Sequence, residues 1–97
     1  MKAYELLYIV DSATPDEVRE AVANRIESIV TETEGSIDNI DDWGRRKLAY
    51  EINGQAEADY ILVDFHTDPQ TIAELDRVLR ITDPVMRHMV VARTDRD

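Results

Sequence analysis

The chain contains no cysteine. That excludes disulfides, thiolate nucleophiles, cysteine-bound zinc and iron–sulfur clusters. Histidine is scarce, at His66 and His88, so a histidine-rich metal site is not expected. No apolar run approaches the ~20 residues of a membrane helix, and the opening MKAYELLYIVDS lacks a signal-peptide cleavage site. These absences predict a soluble, intracellular chain with no membrane role. Glycine is sparse and scattered, at Gly35, Gly44 and Gly54, so no phosphate-cradling loop can form. Basic residues are also few. Eleven of them face 21 acids, for a net charge of −10.

That charge is uneven. Residues 1–42 hold eleven acids and three bases, whereas residues 43–97 hold ten acids and eight bases. Nine of the eleven bases are Arg; only Lys2 and Lys47 are Lys. Such acidity argues against a non-specific nucleic-acid binder, because affinity for phosphate comes from clustered cations. It leaves room for a local basic site. The Asp-rich, Lys-poor balance has two readings, a heavily solvated surface or adaptation to high salt.

With 97 residues, 43% of them apolar, the chain has the material for one domain, residues 1–97, and one core. Residues 3–10 read as an interior strand. Tyr4, Leu6, Tyr8 and Val10 lie on one face, and Glu5, Leu7 and Ile9 on the other. Thr14-Pro15-Asp16-Glu17 predicts a helix start, with Thr14 as cap, Pro15 in the first turn and Glu17 closing a capping box. Val18, Val22, Ile26, Ile29 and Val30 follow at helical spacing, and Gly35 is the expected stop. Residues 36–43 are a weaker strand signal, continued after Gly44 by RRKLAYEI, with a turn at Asn53-Gly54. Residues 58–66 read as a strand with Ile61, Val63 and Phe65 inward. Asp68-Pro69 opens a second helix with Ile72, Leu75, Val78 and Leu79 buried, and Asp83-Pro84 ends it. Residues 85–93 form the last strand. The polar tail, residues 94–97, is expected to fray.

The order β-α-β-β-α-β is the ferredoxin-like, split β-α-β plan of the α+β class. Right-handed crossovers put both helices on one face of a four-stranded antiparallel sheet of order four-one-three-two. The other face lacks a helical cover and carries apolar groups, which invites a partner.

Catalytic chemistry finds little support. The acidic pairs Asp41-Asp42, Glu32-Glu34 and Asp16-Glu17 read as solvated surface charge. Ser12, Ser28 and Ser36 belong to no Ser-His-Asp pattern. The RNA-binding module that shares this topology stacks bases on third-strand aromatics within a basic-Gly-aromatic motif. Here that strand reads ADYILVDF and carries Asp59 and Asp64 instead. The informative segment is WGRRKLAYEI, residues 43–52. Three consecutive bases in so acidic a chain suit either a charged edge strand that resists aggregation or a patch facing phosphate. Arg77, Arg80, Arg87 and Arg93 form a second basic set, and Arg80 and Arg87, flanking the Thr82-Asp83-Pro84 turn, could meet one nucleic-acid backbone together.

At these segments the sequence resembles the bacterial small-subunit ribosomal protein six family. WGRRKLAYEI resembles that family's most recognisable stretch, LRITDPVMRHMVV its last turn and strand, and KAYELLYIV its opening. The similarity spans essentially the whole chain. It implies a ferredoxin-like fold and a structural, non-catalytic role in the small ribosomal subunit, with no cofactor or metal. Implied partners are ribosomal protein eighteen, as a heterodimer, and the central domain of the small-subunit ribosomal RNA, in the platform. Matching basic positions make Lys2, Arg45, Arg46, Lys47, Arg80 and Arg87 the RNA-binding candidates. Strand alternation makes Leu7, Ile9, Tyr60, Leu62 and Met89 the partner-binding candidates. Ala3 and Glu51 depart from the pattern, standing where a base and a proline are common, and the loop 53–58 carries no base. These departures lower the RNA affinity expected of the isolated protein and favour recruitment through the partner. Nothing in the sequence demands self-association, so a monomer is expected in isolation. The alternative is a small dimeric ferredoxin-like enzyme or ligand-binding module using the open sheet face, with His66, His88 and Asp64 as its residues.

Overall fold

A computed structural model describes residues 1–52 and 54–97. The elements are β1 (Lys2–Asp11), α1 (Asp16–Glu32), β2 (Ser36–Ile52), β3 (Gln55–Thr67), α2 (Pro69–Arg80) and β4 (Val85–Ala92), followed by a 3-10 turn, Thr94–Arg96. The sheet order is β2-β3-β1-β4, with all three pairings antiparallel. This is the expected order read from the opposite edge. The central strands are β1 and β3, the two most apolar runs, because only interior strands are covered on both edges.

Both helices pack on the sheet face that carries Tyr4, Leu6, Tyr8 and Val10 from β1 and Ile61, Val63 and Phe65 from β3. From α1 the core takes Val22, Ile26, Ile29 and Val30, and from α2 Leu75, Val78 and Leu79. Phe65, Leu6 and Leu75 are wholly buried. Each such side chain contributes about 1.5–3 kcal/mol of burial. Tyr4 stacks on Phe65 with ring centroids 5.8 Å apart.

Several local expectations are corrected. Thr14 makes no capping bond. Pro15 itself is the N-cap, and its carbonyl accepts from the N–H groups of Val18 and Arg19. With the frame moved by one residue Glu17 sits one position short of the capping-box site, so the box cannot close. Val18 stays 37% exposed, so the buried stripe begins at Val22. The residue in the left-handed region after α1 is Glu34, φ 67°, and not Gly35. Gly35 is needed for space: a Cβ there would stand 2.5 Å from the His66 carbonyl oxygen and 2.6 Å from that of Val30. Ile72 is only half-buried, while Thr71 is buried beside it. Thr71 shares hydroxyl bonds through Thr33, at 3.0 Å, with Thr67, at 3.3 Å from Thr33. The weaker strand signal of 36–43 does continue through Gly44 to Ile52 as expected, with the register slipping at Asp42/Gly44 and Gly44 at φ 75°. Of the Asn53-Gly54 turn, Asn53 lies outside the described residues; Gly54 has φ 78°.

Residues 94–97 do not dangle. The Arg93 N–H donates to the Ala3 carbonyl, and the Asp97 carboxylate accepts from the Ala3 N–H. The segment therefore folds back onto the start of β1. A four-residue polar tail lacks apolar anchoring, but here its charges have partners in the sheet.

Candidate nucleic-acid and partner interface

Residues directly opposite in an antiparallel pair point to the same side of the sheet. The register therefore assembles the uncovered face row by row. Met89, Leu7 and Leu62 form one row across β4, β1 and β3. Arg87, Ile9 and Tyr60 form the next. All five partner candidates thus lie together on the open side, as alternation predicts. Met89 is the most exposed, at 57%, whereas Ile9 is buried and Leu7, Tyr60 and Leu62 are half-buried. An open depression of about 480 Å³ is lined by Leu7, Ile9, Arg87, His88 and Met89.

An aromatic and cationic layer continues this surface toward the β2–β3 hairpin. Trp43 stacks on Tyr60, with centroids 6.2 Å apart and planes 9° from parallel. The indole N–H donates to Asp41 at 3.1 Å, which fixes the ring's rotation. Arg46 covers the outer side of Trp43, its guanidinium carbon 5.3 Å from the ring centre. Arg87 lies over Tyr50 at 5.2 Å. Each contact holds a cation by the ring quadrupole while leaving its hydrogen-bond donors uncommitted. Asp41 lies opposite Leu62 on the open side, so alternation returns Trp43 to that side beside Tyr60, while the register slip there sets Gly44 opposite Tyr60.

The six basic candidates are not one patch. Arg46 and Arg87 flank the aromatic layer. Arg45 and Lys47 sit opposite Asp59 and Glu57 and point to the helix side of the same hairpin. Arg80 is on α2, across the sheet from Arg87, so the two do not meet one backbone side by side as expected. Lys2 pairs with Thr67, eight residues along β3 from Asp59, so it lies roughly 26 Å from Arg45 at ~3.3 Å per residue. Arg80 is also engaged by Asp76 at 2.6 Å. Asp76 in turn accepts from His88 at 2.6 Å, and this bond, with Arg80 nearby, holds its carboxyl below the usual range. Among the described residues, Lys2, Arg45, Arg46, Lys47 and Arg87 are all exposed or half-exposed and form no ion pair with a carboxylate. Arg25, exposed on α1, likewise forms none, whereas Arg19, Arg77, Arg80, Arg93 and Arg96 all do.

The opposite end of the open face is ionic. Arg93 reaches Glu5 at 3.0 Å and Asp95 at 3.2 Å; Arg96 reaches Asp64 at 2.8 Å and Glu5 at 3.4 Å. The residues of the alternative reading do not converge. His66 and Asp64 lie on this side, while His88 faces Tyr8 and α2 on the other. Among the described residues no group of three or more His, Asp or Glu could hold a metal ion. Sequence reasoning also missed Arg19–Asp59, an ion pair in which Asp59 of β3 is buried against the start of α1. The one available signal was an acid at an inward position of an otherwise apolar strand.

Residues 3–92 match the family model for ribosomal protein S6. The small ribosomal subunit protein bS6 of Caldanaerobacter subterraneus subsp. tengcongensis is 40% identical over 95 residues, covering 98% of this chain and 99% of its own length. That of Alkaliphilus metalliredigens is 44% identical over 91 residues, covering 94% of this chain and 96% of its own. The crystal structure of 30S ribosomal protein S6 from Thermotoga maritima superposes with a TM-score of 0.88 at 35% identity, covering 97% of this chain and 89% of that one. The fold is thus ferredoxin-like as expected, and a dimeric enzyme is set aside. By sequence and by fold alike the chain belongs to the ribosomal protein S6 family, whose members are structural proteins of the small ribosomal subunit and not enzymes.

Proposed function

We propose that this protein binds the central domain of the small-subunit ribosomal RNA, in the platform, as a heterodimer with ribosomal protein eighteen. It works in the ribosome, as its family does. The Met89–Leu7–Leu62 row and the adjoining Ile9–Tyr60 pair are the protein surface. A charged partner side chain there would lose hydration without gaining a bond, so the partner presents apolar groups. Arg46 and Arg87 border that surface and hold phosphates. Arg45 and Lys47 extend the contact around the hairpin, with Arg80 and Lys2 as outlying contacts. Phosphate contacts fix register and carry little sequence information.

The observation that carries this reading is the partition of the cations. In a chain of net charge −10, carboxylates could neutralise every base. Five of the six candidates nevertheless stand free of them among the described residues. Two of those five border the apolar row, where a joint surface with a partner would form. Each component then makes the other's contact intramolecular, so together they hold an RNA that neither holds well alone.

The test is binding to a central-domain RNA fragment, with and without protein eighteen, across a salt series. Binding is expected only with the partner and should fall steeply with salt. The double change Arg45→Glu, Arg46→Glu should weaken assembly without unfolding the domain. Unchanged assembly would overturn the cationic part of the proposal. Absence of a heterodimer would overturn the whole.

A further inference from the structure

His66 stands on the open side of β3 with both ring nitrogens against hydrogen-bond acceptors. Nδ1 meets a carboxylate oxygen of Asp38 on β2, and Nε2 meets the backbone carbonyl of Arg96 at 3.2 Å. Neither partner can donate. A neutral imidazole has one N–H and one bare nitrogen, so it satisfies one of these contacts and sets a lone pair against the other. The imidazolium alone donates to both. Asp38 is held in turn by the Ser36 hydroxyl at 3.2 Å. The Arg96 carbonyl belongs to the 3-10 turn; the Arg96 guanidinium ties the turn to Glu5 and Asp64, and Asp97 just beyond it accepts from the Ala3 N–H.

We propose that His66, as an imidazolium, is a pH-sensitive clasp that holds residues 93–97 across one end of the open sheet face, and that its deprotonation loosens them. This stands independently of the RNA and partner reading. The charged groups around the clasp are Asp38 from β2, Glu5 from β1 and Asp64 on its own strand. Arg93, Asp95, Arg96 and Asp97 face it from the turn, while Lys2 points to the helix side. Asp38, Asp97, Asp64 and Glu5 favour the imidazolium; the guanidiniums of Arg93 and Arg96 oppose it but are already engaged by Glu5 and Asp64. The balance raises the His66 pKa above its ordinary value, through the Asp38 bond first, then the Arg96 carbonyl, against a smaller effect of burial. A raised folded-state pKa gives a hold that is complete below about pH 6.5 and is lost as pH rises through the raised value. Loosening would uncover Glu5 and Asp64 and make that end of the face acidic.

The experiment is NMR on the whole chain. Imidazole nitrogen shifts should show both His66 nitrogens protonated at pH 6 and a titration midpoint above about 6.5. Protection of the Ala3 amide, normalised for intrinsic exchange, should drop roughly tenfold or more between pH 6 and pH 9. His66→Gln should abolish that pH dependence and leave Ala3 poorly protected throughout. Asp38→Asn, a milder change, should lower the His66 midpoint by about one pH unit. A midpoint at or below the ordinary value, a singly protonated ring at pH 6, or Ala3 protection equal at both pH values would overturn the clasp.

Discussion

At one end of the open sheet face Arg93 and Arg96 lie in ion pairs with Glu5 and Asp64. At the other end Arg46 and Arg87 lie over Trp43 and Tyr50 with no carboxylate attached. Both ends carry arginine. The difference is the side chain each arginine packs against. An acid beside arginine consumes its charge, whereas an aromatic ring positions it and leaves its donors free. One end is therefore closed by the chain's own tail and the other remains open to an outside anion.

This contrast can be broken experimentally, beginning where the effect should be largest. Met89→Asp puts a charge into the apolar row at its most exposed point. Heterodimer affinity, measured calorimetrically, should fall about 100-fold while the fold is retained, because a desolvated unpaired carboxylate has no partner there. Arg46→Ala with Arg87→Ala should reduce RNA affinity of the heterodimer about tenfold. The slope of log affinity against log salt should shrink by about two, one for each phosphate that is no longer neutralised. At the closed end, Glu5→Gln should leave RNA affinity within about twofold, since Arg93 and Arg96 are held away from the open end. Its effect should instead be faster exchange at Ala3, as one tie to the tail is removed. A large RNA effect from Glu5→Gln would mean that the two ends are not separate.

The smallest expected effect separates the Asp76 carboxyl from the His66 clasp by pH. The Asp76 carboxyl is held low first by its bond from His88. A depressed carboxyl contributes stability that is present above about pH 4 and lost as pH falls through the lowered value. The His66 clasp has the opposite sign and fails as pH rises. A denaturation series should therefore show a modest decline in acid, reduced by Asp76→Asn. Tail protection alone should change on the alkaline side, insensitive to that substitution.

Much of this architecture was legible in the sequence. The alternation in residues 3–10 and 58–66 placed the inward side chains correctly, because one strand face must be apolar to be buried. Pro69 marked the start of α2 because its missing N–H belongs in a first turn. The site was legible in part. The five apolar candidates do share a surface, but the run Arg45-Arg46-Lys47, contiguous in sequence, divides between two faces. Consecutive residues in a strand must point apart. Thr14 and Gly35 were misread for a related reason. Both positions carry residues that suit a local role, but a shift of one residue at Pro15 and a close approach of β3 to the end of α1 decided what each does.

What the sequence by itself determined is the element order, the inward faces, the open sheet side and the family. These follow from hydrophobic period and from local motifs, which act over a few residues. Tertiary structure alone decided which cations are free. Glu5 and Arg93 are 88 residues apart in the chain, and Asp38 meets His66 across 28. An ion pair depends on distance in space, which falls off within a few ångströms and is set by strand register. No local pattern encodes that register for a polar tail, and so a segment that reads as frayed becomes the closure of one end of the sheet.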